Sequence, residues 1–167
     1  MATPDSKPHK HWIKRIPRAH VARPTRLKDW VKFGIWFVIV PLHPYGKEVL
    51  LWLGLIKHSG RQDFLLGTVA PDETIESVSM HLVEHGYGNH FVAWDDDGQV
   101  VSLRHTPNFT YQYHVRIFND GEVRAHYEFT PESYPFKHLK EIGQEERREE
   151  FLELFGNKIV PLETIEE

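Results

Sequence analysis

Thr110-Tyr-Gln-Tyr-His-Val-Arg-Ile-Phe118, Asn119-Asp-Gly121 and Glu122-Val-Arg-Ala-His-Tyr-Glu-Phe129 form the stretch on which the fold turns. Two runs rich in β-branched and aromatic residues flank a three-residue loop with glycine at its left-handed position, which predicts a β-hairpin. Closing the hairpin on residues 119–121 sets the register. Ile117 then faces Val123, Val115 faces Ala125, and Tyr113 faces Tyr127, an apolar and aromatic face. The reverse face pairs Arg116 with Arg124, His114 with His126, and Gln112 with Glu128. Like charges directly opposite are unfavourable unless something anionic or acidic covers them. An anion, a phosphodiester backbone or the acidic C-terminal helix would each serve. His114 and His126 on adjacent strands also suit part of a metal site. The plainer reading is a solvated face with Arg116 and Arg124 bonded to nearby acids.

Upstream, Asn89–Trp94 and Gln99–Arg104 predict a second hairpin around the turn Asp95-Asp-Asp-Gly98, with His90 opposite Arg104. Asp63–Val69 reads as a strand. Residues 73–85 read as an amphipathic helix with Asp72 as N-cap, an apolar stripe of Ile75, Val78 and Leu82, and Gly86 at its end. Downstream of Thr130-Pro131 come two helices. One covers about 135–142 and ends at Gly143; the other covers about 144–155 and ends at Gly156. The expected class is α+β: a mostly antiparallel sheet built from consecutive hairpins, one helix between strands, two C-terminal helices and a basic N-terminal extension. The corresponding division is an extension over 1–32, one domain over 33–158 and a loose acidic tail over 159–167.

Residues 33–56 are the most apolar part of the chain. Phe33–Leu42 and Val49–Ile56 are each far shorter than the roughly 20 residues of a spanning helix. Lys47 and Glu48 separate them, and Pro41 and Pro44 bracket a turn. β-Branched and aromatic enrichment makes Ile35–Val40 a buried strand. Val49–Ile56 fits a strand or a buried helix. The competing reading is a membrane-dipping hairpin beside a basic arm.

Composition narrows the chemistry. The 167 residues contain no cysteine, which excludes disulfide scaffolds, thiolate metal sites and cysteine nucleophiles. A 40% hydrophobic content excludes a wholly disordered chain. The formal net charge of −4 hides an asymmetry: residues 1–61 carry 12 Lys+Arg against 3 Asp+Glu, net +9, and residues 62–167 carry 8 against 21, net −13. The first 32 residues, interrupted by Pro4, Pro8, Pro17 and Pro24, should stay mobile or order on a partner. They do not read as a secretory signal. Such an arm suits phosphate or anionic lipid, unless the two halves neutralise each other within one fold.

The twelve histidines are the one compositional anomaly with chemical content. His81-Leu-Val-Glu-His85 resembles the H-x-x-E-H helix motif of inverzincin-type metallopeptidases. The resemblance spans five residues and implies His81 and His85 as zinc ligands with Glu84 as general base. Gly86 ends the helix directly after this string, and the chain is shorter than such peptidase domains. The competing reading places His85 favourably at a helix C-terminus. Asp95-Asp-Asp-Gly98 lacks the spacing of a calcium loop and reads as a turn. No P-loop, dinucleotide fingerprint or nucleophile elbow is present.

The leading expectation is a cytoplasmic, non-enzymatic, cofactor-free protein that binds nucleic acid. Lys7, Lys10, Trp12, Lys14, Arg15, Arg18, Arg23, Arg26 and Lys28 would supply the arm, with His114, Arg116, Arg124 and His126 adding a sheet face. The second is a zinc-dependent hydrolase with histidine ligands drawn from His81, His85, His114 and His126, and Glu84 as its base. The third is a peripheral membrane or assembly protein, acting on an anionic membrane surface, as a homo-oligomer or in a larger complex.

Overall fold

The computed structural model describes residues 11–53, 64–89, 96–139 and 142–162. In chain order its elements are α1 (Leu27–Trp52), β1 (Leu65–Val69), α2 (Ile75–Glu84), β2 (Gly88–Asn89), β3 (Gln99–His105), β4 (Tyr111–Phe118), β5 (Glu122–Phe129), α3 (Pro135–Leu139), α4 (Arg148–Phe155) and β6 (Ile159–Pro161). Two short 3-10 turns, His11–Arg15 and Gly156–Lys158, complete them. The strands form one antiparallel sheet in the order β2-β3-β4-β5-β1-β6, an α+β fold as expected.

The central hairpin follows from its turn. Gly121 takes φ +88°, the left-handed conformation that the loop demands. β4 and β5 pair in the expected register, from Tyr111 opposite Phe129 to Ile117 opposite Val123. Alternation along β3, β4 and β5 sends Val101, Leu103, Val115, Ile117, Val123 and Ala125 to one side. There they meet Val78 and Leu82 of α2 and Phe151 and Phe155 of α4 in the main core. α2 starts later than the sequence suggests. Its N-cap is Thr74 rather than Asp72, because Thr74 Oγ1 accepts from the Ser77 amide at 3.1 Å while Ser77 Oγ accepts from the Thr74 amide.

Several local expectations are corrected. Ile35–Val40 is not a strand but part of α1, which runs on through Pro41 and Pro44 where a turn was expected. β-Branched enrichment reports fitness for a sheet surface, not a backbone preference. The spacing of Leu27, Val31, Ile35 and Val38 is helical as well. Within Val49–Ile56, residues up to Trp52 are helical, and residues 54–56 lie outside the described residues. Arg104 lies opposite Gly88 rather than His90, and His90 is outside the described residues. α4 begins at Arg148, because Glu145 is drawn into a backbone bridge with Tyr127 whose two hydrogen bonds are 2.7 and 2.8 Å long. Ile159 does not open a loose tail: it is 3% exposed and belongs to β6, which pairs with β1.

The basic extension is seated on the chain's own body over residues 11–20. Ile16 enters the core and Trp12 packs against it. Arg18 bridges to Asn89 in parallel, with the Ala19 amide donating to the Asn89 carbonyl at 2.7 Å and the Asn89 amide to the Pro17 carbonyl at 2.8 Å. This close approach needs a glycine at position 88. A Cβ there would lie 2.5 Å from the Ala19 nitrogen and 2.7 Å from its Cα. The substitution Gly88→Ala is expected to unseat residues 11–20 and cost roughly 1–3 kcal/mol. Limited proteolysis between Lys14 and Arg18, with a thermal melt, checks it: unchanged protection would show that the contact is dispensable.

Candidate metal centre

The face of the sheet opposite the main core should meet water if the fold were a simple two-layer packing. Instead it is buried and polar. Ser102 and Arg104 of β3, Gln112 and Arg116 of β4, and Arg124, His126 and Glu128 of β5 are all buried, as is Glu132 after β5. Strand alternation places them together, and the 119–121 turn puts His114 opposite His126 and Gln112 opposite Glu128. Next to them, Phe64 adopts φ +60°, a strained conformation for a bulky residue, with its ring centroid 5.1 Å from that of His126.

Glu128 is the hub. Its Oε1 accepts from Gln112 Nε2 at 2.7 Å and lies 3.3 Å from His114 Nδ1. Its Oε2 lies 3.1 Å from His138 Nδ1 and 3.4 Å from His126 Nε2. Gln144 Nε2 also donates to Oε2, at 3.4 Å. Around this hub, Arg104 forks onto Glu132 with bonds of 3.0 and 2.8 Å and donates a third to Gln112 Oε1 at 3.0 Å. Ser102 Oγ lies 2.8 Å from His114 Nε2. Arg116 pairs with Asp96, and Arg124 with Glu122 at 3.0 Å. The like-charged pairs foreseen across the hairpin are therefore compensated within the chain, and Arg116, Arg124 and His126 are buried there.

The network divides its charges unevenly. Burial pushes the His114 imidazole down to about 4, against the pull of Glu128, so it is neutral at physiological pH. Burial alone would raise Glu128, but His138, His126 and the hydrogen bond from His114 outweigh it and hold the carboxyl well below its ordinary range. Burial alone would lower His138, yet the Glu128 charge overcomes it and raises that imidazole. The result is a buried Glu128–His138 ion pair flanked by a neutral histidine. His126, only 4% exposed, stands apart: neither of its ring nitrogens makes a hydrogen bond, and Nε2 merely lies near Glu128. A buried, unsatisfied imidazole requires an explanation, and an ion or water is the common one.

His114, His126 and Glu128 each offer one ligand atom, and the three atoms lie within 4.8 Å of one another. Among the described residues no other group of three histidine or acidic side chains is close enough to hold a metal ion. The pair His81 and His85 therefore lacks a third ligand there. His81 Nε2 is 2.8 Å from the Leu154 carbonyl, and His85 Nδ1 is 2.8 Å from the His81 carbonyl, closing the C-terminus of α2. Glu84 is exposed. Of the arm residues, Lys7 and Lys10 lie outside the described residues. Trp12 is half-buried, whereas Lys14, Arg15, Arg18, Arg23, Arg26 and Lys28 are exposed, Arg15 pairing with Glu76.

Sequence reasoning brought His114 and His126 together and set Gln112 opposite Glu128, but it did not assign Glu128 to the metal site, set Arg104 opposite His90, and missed Ser102, Glu132 and His138. Alternation along β3, which places Ser102 on the same face as Arg104, could have found Ser102. The others arrive by a chain reversal that has no local signature. No protein-family model, no curated protein and no solved structure matches the chain.

The charge pattern sets a pH dependence for the metal-free protein. His114 is lowered from 6.5 to about 4, so below pH 6.5 the unfolded chain takes up a proton that the folded one refuses. Stability falls as pH drops from 6.5 to 4, by roughly 3 kcal/mol. His138 is raised, so its contribution is complete below pH 6.5 and is lost as pH rises through its folded value. The contribution of these two histidines thus peaks near pH 6.5. Thermal unfolding of chelator-treated protein from pH 4 to 9 is the check. The variant His114→Gln should flatten the acid limb and His138→Gln the alkaline limb, whereas parallel curves would refute the assignment.

Proposed function

We propose that the chain is a metal-dependent hydrolase whose divalent ion is held by His114, His126 and Glu128. One observation carries this reading: two imidazoles and a carboxylate converge in a buried polar face, and one of the imidazoles has no hydrogen-bond partner. Two histidines and one carboxylate form a ligand set that suits zinc or another first-row divalent metal and leaves a coordination position open. When bound, such an ion polarises a carbonyl or phosphoryl oxygen and activates a water at neutral pH.

The surrounding residues fit that role. A ligating imidazole must be neutral, and burial keeps His114 neutral. In the metal-free chain the His114 Nδ1 side faces Glu128; with a metal on that nitrogen the ring proton would sit on Nε2, where the N–H would donate to Ser102 Oγ. Gln112 fixes the Glu128 carboxylate by donating to Oε1, and Arg104, held by Glu132, fixes Gln112 in turn. His138, 3.1 Å from the second carboxylate oxygen, is the group positioned to hold a proton beside the centre or hand it on.

Metal content of protein purified without chelator, and thermal shift on adding zinc or manganese to stripped protein, test the proposal. Near-stoichiometric metal is expected, with a stabilisation of about 2.7 kcal/mol at a hundredfold excess over Kd. His126→Gln should abolish both, and metal-dependent cleavage of chromogenic carboxylate or phosphate esters should go with them. Absence of both bound metal and metal-induced stabilisation would overturn the centre; metal without any hydrolysis would overturn the enzymatic half.

A further inference from the structure

Among its described residues, α1 meets the body on one side. Trp36 is buried, the Phe33 and Phe109 ring centroids lie 6.0 Å apart, and the Lys32 ammonium sits 3.7 Å from the centre of the Tyr134 ring. The opposite side is apolar and exposed. Leu27, Trp30, Val31, Ile35 and Val38 recur at intervals of three and four residues, and Gly34 among them opens onto empty space. Val49 lies eleven residues, or three turns, beyond Val38, and Trp52 and Leu53 complete the row. Trp52 is 84% exposed, Phe37 65% and Val38 63%. An apolar stripe facing away from the protein is the reverse of an ordinary surface helix, whose apolar side meets the core.

The charges beside the stripe indicate what covers it. Arg26 precedes the first residue of the stripe and Lys28 follows it, so that at helical spacing they border it on opposite edges. Arg23 lies just upstream, and all three are exposed. Tryptophans near both ends and cations at the edges suit a lipid interface: indole rings favour the headgroup level, and arginine and lysine meet anionic headgroups. Among the described residues no helix is long and apolar enough to cross a membrane, which leaves a helix lying in the interface. A nucleic acid would meet the same cations but has nothing to receive a row of large apolar side chains.

We propose that α1 lies in the plane of an anionic bilayer, with Leu27, Trp30, Val31, Ile35, Val38, Val49, Trp52 and Leu53 in the acyl boundary and Arg23, Arg26 and Lys28 among the headgroups. The reading is independent of the metal centre. The test is flotation of the full chain with vesicles of phosphatidylcholine, with and without phosphatidylserine. Co-flotation with the anionic vesicles and a blue shift of tryptophan emission are expected. Val38→Glu, at an exposed position, should lower binding about tenfold or more. The double variant Arg26→Glu/Lys28→Glu should do the same and remove the salt dependence. Circular dichroism and thermal melts confirm that both variants fold. Failure to float overturns the proposal, and so does flotation insensitive to Val38→Glu. A dimer in light scattering that Val38→Glu dissolves would assign the stripe to a second copy instead, and oligonucleotide binding without vesicle binding would assign the cations to nucleic acid.

Discussion

A carboxylate removed from water costs several kcal/mol unless opposite charge and hydrogen-bond donors replace its hydration. Glu128, 3% exposed, imposes that constraint on everything around it. Gln112 must lie across the strand, His138 must return over the sheet, and His114 and His126 must sit on the neighbouring register positions. The demand spreads outward. Gln112 recruits Arg104, which needs Glu132, and each of these is buried in turn. A half-satisfied network of this kind is worse than an apolar core, whereas a satisfied one specifies a single arrangement. Among the described residues of this network, His126 makes no hydrogen bond through either ring nitrogen, and it lies beside the carboxylate, where an additional ligand would complete it.

The protein thus has two unlike cores on one sheet. On one side, valine, leucine, isoleucine and phenylalanine from β3, β4, β5, α2 and α4 give stability through area removed from water. On the other, arginine, histidine, glutamine and glutamate use the same strands as a rigid platform, and rigidity is what holds ligand atoms close together. The strained Phe64 beside His126 fits this division, since such strain is retained where the surroundings over-determine it.

The N-terminal region is built on other terms. Residues 11–20 extend the sheet edge at Gly88 and contribute Ile16 to the core. α1 then departs, with Trp36 buried, Phe33 and Lys32 against the rings of Phe109 and Tyr134, and Leu27, Val31, Ile35, Val38, Val49 and Trp52 exposed. The positive charge of this region is therefore spent neither on the sheet's polar face nor wholly on the acidic half. Among the described residues Lys14, Arg18, Arg23, Arg26 and Lys28 are exposed, the last three beside the apolar stripe.

By itself the sequence determined what is local or periodic. The Asn119-Asp-Gly121 loop set the hairpin register, because only one closure gives Gly121 its left-handed position, and that register made His114 and His126 neighbours. The stripe of Val78 and Leu82 fixed the core side of α2, and the order of elements gave the α+β class. Three matters were left to the tertiary structure. Burial of the polar face follows from what covers the sheet, and no strand pattern encodes it. The return of Glu132 and His138 over Glu128 depends on the path after Thr130-Pro131. The helical state of Ile35–Val40, read from the sequence as a strand, is the third, because β-branched residues occur on helices as well as in strands. In each case the deciding energy comes from residues distant in the chain, and periodicity carries no information about those.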